Sequence, residues 1–96
     1  MENKTYIIGR RGNIQLFDKT TSSRHAELVV LNEQMYLTDL DSTNGTYVVK
    51  DSSVVQFKEA IVKPQHTVVL GKKVYTVQSL LEIIGVFATY SDKTGL

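Results

Sequence analysis

Cysteine is absent from this chain. That excludes a disulfide scaffold and any thiolate metal site, and it is compatible with a reducing compartment. Histidine is scarce. His25 and His66 are the only imidazoles, and neither has a neighbouring ligand pattern of the His-x-x-x-His kind. No metal site and no cofactor are therefore expected. Long apolar runs are missing too, since none approaches the ~20 residues that span a bilayer. The start, MENKTYIIGRR, has no basic head leading into an apolar stretch, so no signal peptide, no membrane partner and a cytoplasmic setting are expected. Excess charge of one sign is also lacking. A formal net charge of +1 is too balanced for a general nucleic-acid binder. Any useful positive charge must be local, and Arg10-Arg11 is the first candidate, with Arg24 joining it in space.

What remains is a chain of 96 residues with 42% apolar content, enough for one compact core and one domain spanning residues 1–96. The dominant signal is strand. Short runs rich in Val, Ile, Tyr and Thr recur between polar or glycine punctuation. Strands are expected at residues 5–8, 14–17, 26–31, 35–40, 46–49, 53–57, 59–63, 67–70 and 73–80. Many short strands at close spacing predict an all-β antiparallel sandwich of about 9–11 strands. Only residues 77–88 carry an unbroken apolar content that suits a helix. Even there Ile83, Ile84, Val86 and Phe87 favour strand, and Gly85 interrupts. The polar end, residues 91–96, is expected to fray.

If most of the chain is sheet, function falls to the loops. Three stand out: residues 9–13, 20–25 and 41–45. Ser22 or Ser23 with His25 and Asp39 or Asp41 could be assembled into a nucleophile, base and acid. Yet there is no strand–nucleophile–helix elbow, and a small sandwich leaves little room for a substrate cleft. His66, in Pro64-Gln65-His66, reads as an exposed loop residue. Asn44-Gly45 alone reads as a tight turn, because both residues tolerate positive φ. Asn44-Gly45-Thr46 and Asn3-Lys4-Thr5 match glycosylation sequons, a chance match without a secretion signal. Anion binding is the remaining chemistry. A phosphate needs a guanidinium for charge, and hydroxyls and backbone N–H groups for its other lone pairs. Arg10, Ser22 and Thr43 are suitable types, one in each unusual loop. Asn44 can donate and accept at once, which suits it to clamp a peptide main chain.

The order and spacing of these residues resemble the forkhead-associated (FHA) domain. The resemblance rests on Tyr6-Ile7-Ile8-Gly9-Arg10, on Ser22-Ser23-Arg24-His25-Ala26-Glu27-Leu28, and on Asp39-Leu40-Asp41-Ser42-Thr43-Asn44-Gly45-Thr46. It covers about residues 5–80. It implies a non-catalytic β-sandwich that binds threonine-phosphorylated partner proteins through loops at one end. Carried over by position, Arg10 and Ser22 would hold the phosphate, with Thr43 assisting. Asn44 would bond the peptide backbone, and Ser23 and Arg24 would touch phosphate or peptide. Gly9, His25 and Gly45 would support the site, the histidine as a brace between loops. The alternative is a phosphorylation-independent assembly module on the same fold.

The sequence departs from the family pattern in two places. Members usually have about two strands before the Gly-Arg strand, whereas here almost nothing precedes Thr5. Conversely, an apolar extension runs over residues 81–90. It is expected to supply the missing edge strands, in its own chain or across a homodimer. The turns at Val48-Val49-Lys50-Asp51 and Pro64-Gln65-His66 also differ, away from the expected phosphate site. For ligand selectivity, Thr20, Thr21 and residues 50–53 are the expected positions.

Overall fold

The computed structural model describes residues 3–85. Among the described residues nine strands form two sheets: β1 Lys4–Gly9, β2 Ile14–Gln15, β3 Ala26–Leu31, β4 Gln34–Asp39, β5 Thr46–Lys50, β6 Ser53–Gln56, β7 Glu59–Val62, β8 Thr67–Leu70 and β9 Lys73–Thr76. The five-stranded sheet has the order β2-β1-β3-β4-β7, and the four-stranded sheet β6-β5-β8-β9. Every pairing is antiparallel except β1 with β2, which is parallel.

Period-two alternation decides which side chains face inward. In β3, Ala26 and Leu28 are buried; in β4, Met35 and Leu37; in β8, Val68 and Leu70. The inner faces of both sheets merge in one core with Ile8, Ile14, Leu16, Val48 and Val62. Each fully buried aliphatic side chain contributes about 1.5–3 kcal/mol. Two-residue turns fix the hairpin registers. Leu31 pairs with Gln34, Lys50 with Ser53 and Leu70 with Lys73. Asn32, Glu33, Asp51 and Gly71 all take positive φ in these turns, as the twist of a tight hairpin demands.

The expected strand over residues 73–80 stops at Thr76. A helix, α1 Val77–Ile83, follows. Thr76 caps it, its side chain accepting from the Ser79 N–H at 3.1 Å. Val77, Leu80 and Leu81 are buried at helical spacing, and this stripe outweighs the strand preference of the nearby β-branched residues. The part of the 81–90 extension within the described residues is therefore core-packing helix, not an edge strand. The flank of β1 is closed by β2 instead. Residues 86–90 and the polar end at 91–96 lie outside the described residues. Among the described residues, no helix is long and apolar enough to cross a membrane, and no group of residues could hold a metal ion.

Register places the unusual loops together. Ile8 pairs with Ala26, Ala26 with Asp39, and Thr46 with Leu70. The ends of β1, β4 and β8 and the starts of β3 and β5 thus meet at one end of the sandwich.

Candidate functional site

The loop carrying Arg10 is stitched to the loop carrying Ser22. The Arg10 N–H donates to the Ser22 carbonyl at 3.1 Å and the Arg11 N–H to the Ser23 carbonyl at 3.0 Å. This approach requires Gly9, because a Cβ there would lie 2.2 Å from the Ser23 carbonyl oxygen and 2.7 Å from that of Ser22.

His25 is fully buried and joins two loops by both ring nitrogens. The Ser22 N–H donates to Nδ1 at 3.0 Å. The ring hydrogen therefore sits on Nε2, which donates to the Gly45 carbonyl at 2.8 Å. Neither nitrogen remains to take a proton from a serine hydroxyl, so the Ser-His arrangement of a hydrolase is not built here. Gly45 itself stands at φ 89, in the region that favours glycine.

Ser22 has a further role. Its hydroxyl oxygen accepts from the Thr43 N–H at 3.0 Å. That bond orients the hydroxyl and leaves its hydrogen to donate outward. Thr43 is exposed. Asn44 spends one amide hydrogen on the Thr20 carbonyl at 2.9 Å, leaving a second hydrogen and its side-chain carbonyl for a ligand. Tyr47 holds the Asn44 carbonyl with its hydroxyl at 2.9 Å.

Asp39 is the organiser that sequence reasoning assigned only to a hypothetical triad. Its carboxylate accepts from the Ser42 hydroxyl at 2.5 Å, the Ser42 N–H at 3.2 Å and the Thr46 hydroxyl at 2.7 Å. The Ser42 hydroxyl oxygen in turn accepts from the Gly45 N–H at 3.0 Å. Burial pushes the Asp39 carboxyl up, but the bonds from Ser42 and Thr46, with the nearby His25, hold it below the usual carboxylate value. The signal was the Asp-x-x-Ser spacing that opens the turn.

The tip of the β8–β9 hairpin also reaches this end. The Gly71 N–H donates to the Gly45 carbonyl at 3.1 Å, and the Lys72 N–H to the Thr20 hydroxyl oxygen at 2.9 Å. This tip was not expected at the site. Of the positions expected to set selectivity, Thr20 is tied to Asn44 and Lys72, and Thr21 is buried. Residues 50–53 lie at the far end of β5, roughly 13 Å along the strand. His66 is half-buried rather than exposed, and its Nδ1 accepts from the Lys63 N–H at 3.1 Å.

The outcome is a set of unspent donors at one end of the sandwich. Arg10 and Arg24 are exposed, Ser23 is half-buried, and none of them enters an ion pair among the described residues.

The model of the FHA domain family matches residues 6–71. This chain belongs to the FHA domain family. Three solved structures are similar to it. One is an FHA domain from a structural and functional analysis of phosphothreonine-dependent FHA domain interactions. It shares 28% identity at a TM-score of 0.68, over 79% of this chain and 77% of that one. The second is the FhaA FHA domain complexed with the intracellular domain of Rv3910, with 32% identity, a TM-score of 0.63, and 77% and 79% covered. The third is the FHA domain of the CT664 protein from Chlamydia trachomatis, with 27% identity, a TM-score of 0.64, and 76% and 73% covered. No curated protein sequence matches the chain significantly. Within this FHA fold, the loops that bring together Arg10, Ser22, Thr43 and Asn44 are held by Gly9, His25, Asp39 and Gly45.

Proposed function

We infer that the chain is a non-catalytic reader of phosphothreonine in partner proteins, a signalling or assembly adaptor. One observation carries the reading. The Ser22 hydroxyl is pinned by the Thr43 N–H, so its hydrogen is free beside the Arg10 loop, whose arginines form no ion pair among the described residues. Phosphothreonine brings about −1.5 to −2 charges and three strong acceptor oxygens. In this reading Arg10 supplies the guanidinium, Ser22 and Thr43 the hydroxyls, and Ser23 and Arg24 contact phosphate or peptide. Asn44 bonds the peptide backbone with the hydrogen that Thr20 does not use. The loops are cross-linked before any ligand arrives, which lowers the ordering cost of binding. Similar FHA domains with phosphothreonine-dependent interactions support the assignment.

The test compares a phosphothreonine peptide with its unphosphorylated twin by fluorescence anisotropy. The phosphopeptide binds and its twin does not. Arg10→Ala weakens binding roughly 30- to 150-fold, the effect of losing about 2–3 kcal/mol of charge-assisted contact. Equal binding of both peptides, or an Arg10→Ala variant that binds like wild type, refutes the reading.

A second reading, assembly without phosphorylation, is favoured by the outer face of the four-stranded sheet. Cross-strand register sets Val54 beside Val49, and Val69 between Val74 and Tyr47. Val54 is 59% exposed and Val74 61%. Self-association that survives Arg10→Ala and is lost with Val54→Glu and Val74→Glu would establish it.

A further inference from the structure

The charge at the loop end exceeds what one phosphate requires. Arg10, Arg11, Arg24 and Lys72 all belong to segments joined there by backbone bonds. All four are exposed, and none forms an ion pair among the described residues. These four belong to a chain whose formal net charge is only +1. The acids in the same loops are already occupied. Asp41 pairs with Lys58 at 2.9 Å. Asp39 is spent on Ser42 and Thr46. Asp18 is held by the Thr20 hydroxyl and N–H, with Lys73 near enough to favour its charge.

The two lysines of the β8–β9 tip therefore differ. Lys73 is near enough to Asp18 to favour its charge, whereas Lys72 forms no ion pair among the described residues. Lys72 is also the one fixed to the site. Bonds run in series from the Arg10 loop to Ser22, from Ser22 to Thr43, and from Asn44 to Thr20. The last link is from Thr20 to the Lys72 backbone. Lys72 and Asn44 thus meet on Thr20, whose hydroxyl oxygen takes the Lys72 N–H and whose carbonyl takes the Asn44 amide.

We propose that Lys72 is a specificity-determining residue that reads an acidic side chain of the ligand, on the flank of the phosphothreonine that passes Asn44. This rests on the phosphothreonine reading above. The ligand class then narrows to a phosphothreonine within an acidic segment. A flexible lysine at an exposed tip acts as a point charge and tolerates either Asp or Glu. Its contribution is that of an exposed ion pair, about two- to five-fold in affinity and screened by salt.

The experiment is a scan of phosphothreonine peptides on an alanine background, with one Asp placed in turn at each neighbouring position on both sides. Wild type binds best with Asp at positions on one side only, about two- to five-fold above the all-alanine peptide. In Lys72→Ala that ratio collapses to near unity, and Lys72→Glu prefers a Lys at the same position. Phosphopeptide binding without any acidic preference, or a preference unchanged in Lys72→Ala, overturns the proposal and leaves the phosphothreonine reading standing. If wild type binds no phosphopeptide of the scan, both fall together.

Discussion

Removing the His25 ring tests whether the site depends on a brace. His25→Ala deletes a fully buried imidazole and two hydrogen bonds, one from the Ser22 N–H and one to the Gly45 carbonyl. A buried polar group left without a partner costs about 1–3 kcal/mol. The Gly45 carbonyl keeps the Gly71 N–H as a second donor, so its loss falls at the low end. The Ser22 N–H has no substitute and falls higher. The emptied volume adds a packing loss unless water fills it. The sum is about 3 kcal/mol, out of roughly 5–15 kcal/mol for a domain of this size. In urea, that lowers the unfolding midpoint by roughly 2 M. Two conservative variants divide the effect. His25→Asn places an acceptor near the Nδ1 position and keeps the Ser22 bond, whereas His25→Gln reaches toward Gly45 and keeps that one. Each is expected to recover part of the loss, Asn more than Gln. If His25→Ala unfolds within about 0.5 kcal/mol of wild type, the range of neutral surface changes, the brace argument fails. If it loses phosphopeptide binding with full stability, the imidazole acts on the ligand directly.

Three further outcomes follow from the same geometry. Ser22→Ala should weaken phosphopeptide binding about 10- to 100-fold by anisotropy, since a bond to a charged group is worth about 1.5–3 kcal/mol. Its thermal stability should hold, because the exposed Thr43 N–H can bond water instead. Gly9→Ala should cost about 1–3 kcal/mol in chemical denaturation, as the new Cβ must push back the Ser22–Ser23 backbone; a variant as stable as wild type would mean that approach is loose. Asp39→Asn should destabilise by about 1–3 kcal/mol near neutral pH, and the gap should shrink in acid. The sign follows from the lowered carboxyl. Asp39 contributes stability above the unfolded value of about 3.9, and that stability is lost as pH falls through the lower folded value. A gap that stays constant from neutral pH to the acid limb would refute the role given to the carboxylate.

Much of the fold can be read locally because strands with one buried face carry their own pattern. Leu28 and Leu37 fall inward by alternation, and Asn44-Gly45 marks its turn by residue type. The helix at Val77–Ile83 was harder to read. Val77, Leu80 and Leu81 have helical spacing, but Ile83 and Ile84 lean toward strand, and Thr76 as a cap gains meaning only once the face it serves has a core to enter. That the loops of Arg10, Ser22, Thr43 and Asn44 belong together was legible because each residue sits in a motif of adjacent residues. Lys72 was not, since its place depends on the pairing of Thr46 with Leu70, which joins segments far apart in sequence. Residues 50–53 failed for the converse reason. They look like a polar loop, but only the direction of β5 tells which end of the sandwich they occupy.

The division of labour within the site has a consequence for how it can change. The groups that hold the loops bond inward to backbone or to one another: His25 to Ser22 and Gly45, Asp39 to Ser42 and Thr46. Of the groups that would meet a ligand, Arg10, Arg24 and Lys72 form no ion pair among the described residues, whereas Ser22 and Asn44 also bond inward. Changes to Arg10, Thr43 or Lys72 then alter recognition at little cost in stability, because no buried partner is orphaned. Changes to His25 or Asp39 alter stability first and binding second. Ser22 and Asn44 belong to both sets, since the Ser22 backbone is held by His25 while its hydroxyl oxygen orders Thr43, and one Asn44 amide hydrogen is spent on Thr20. The geometry of these loops is thus set in part by Ser22, which in the phosphothreonine reading would also touch the phosphate. That makes Ser22 the position where even a conservative change such as Ser22→Thr should disturb binding, because the added methyl must find space in the half-buried gap between the two loops.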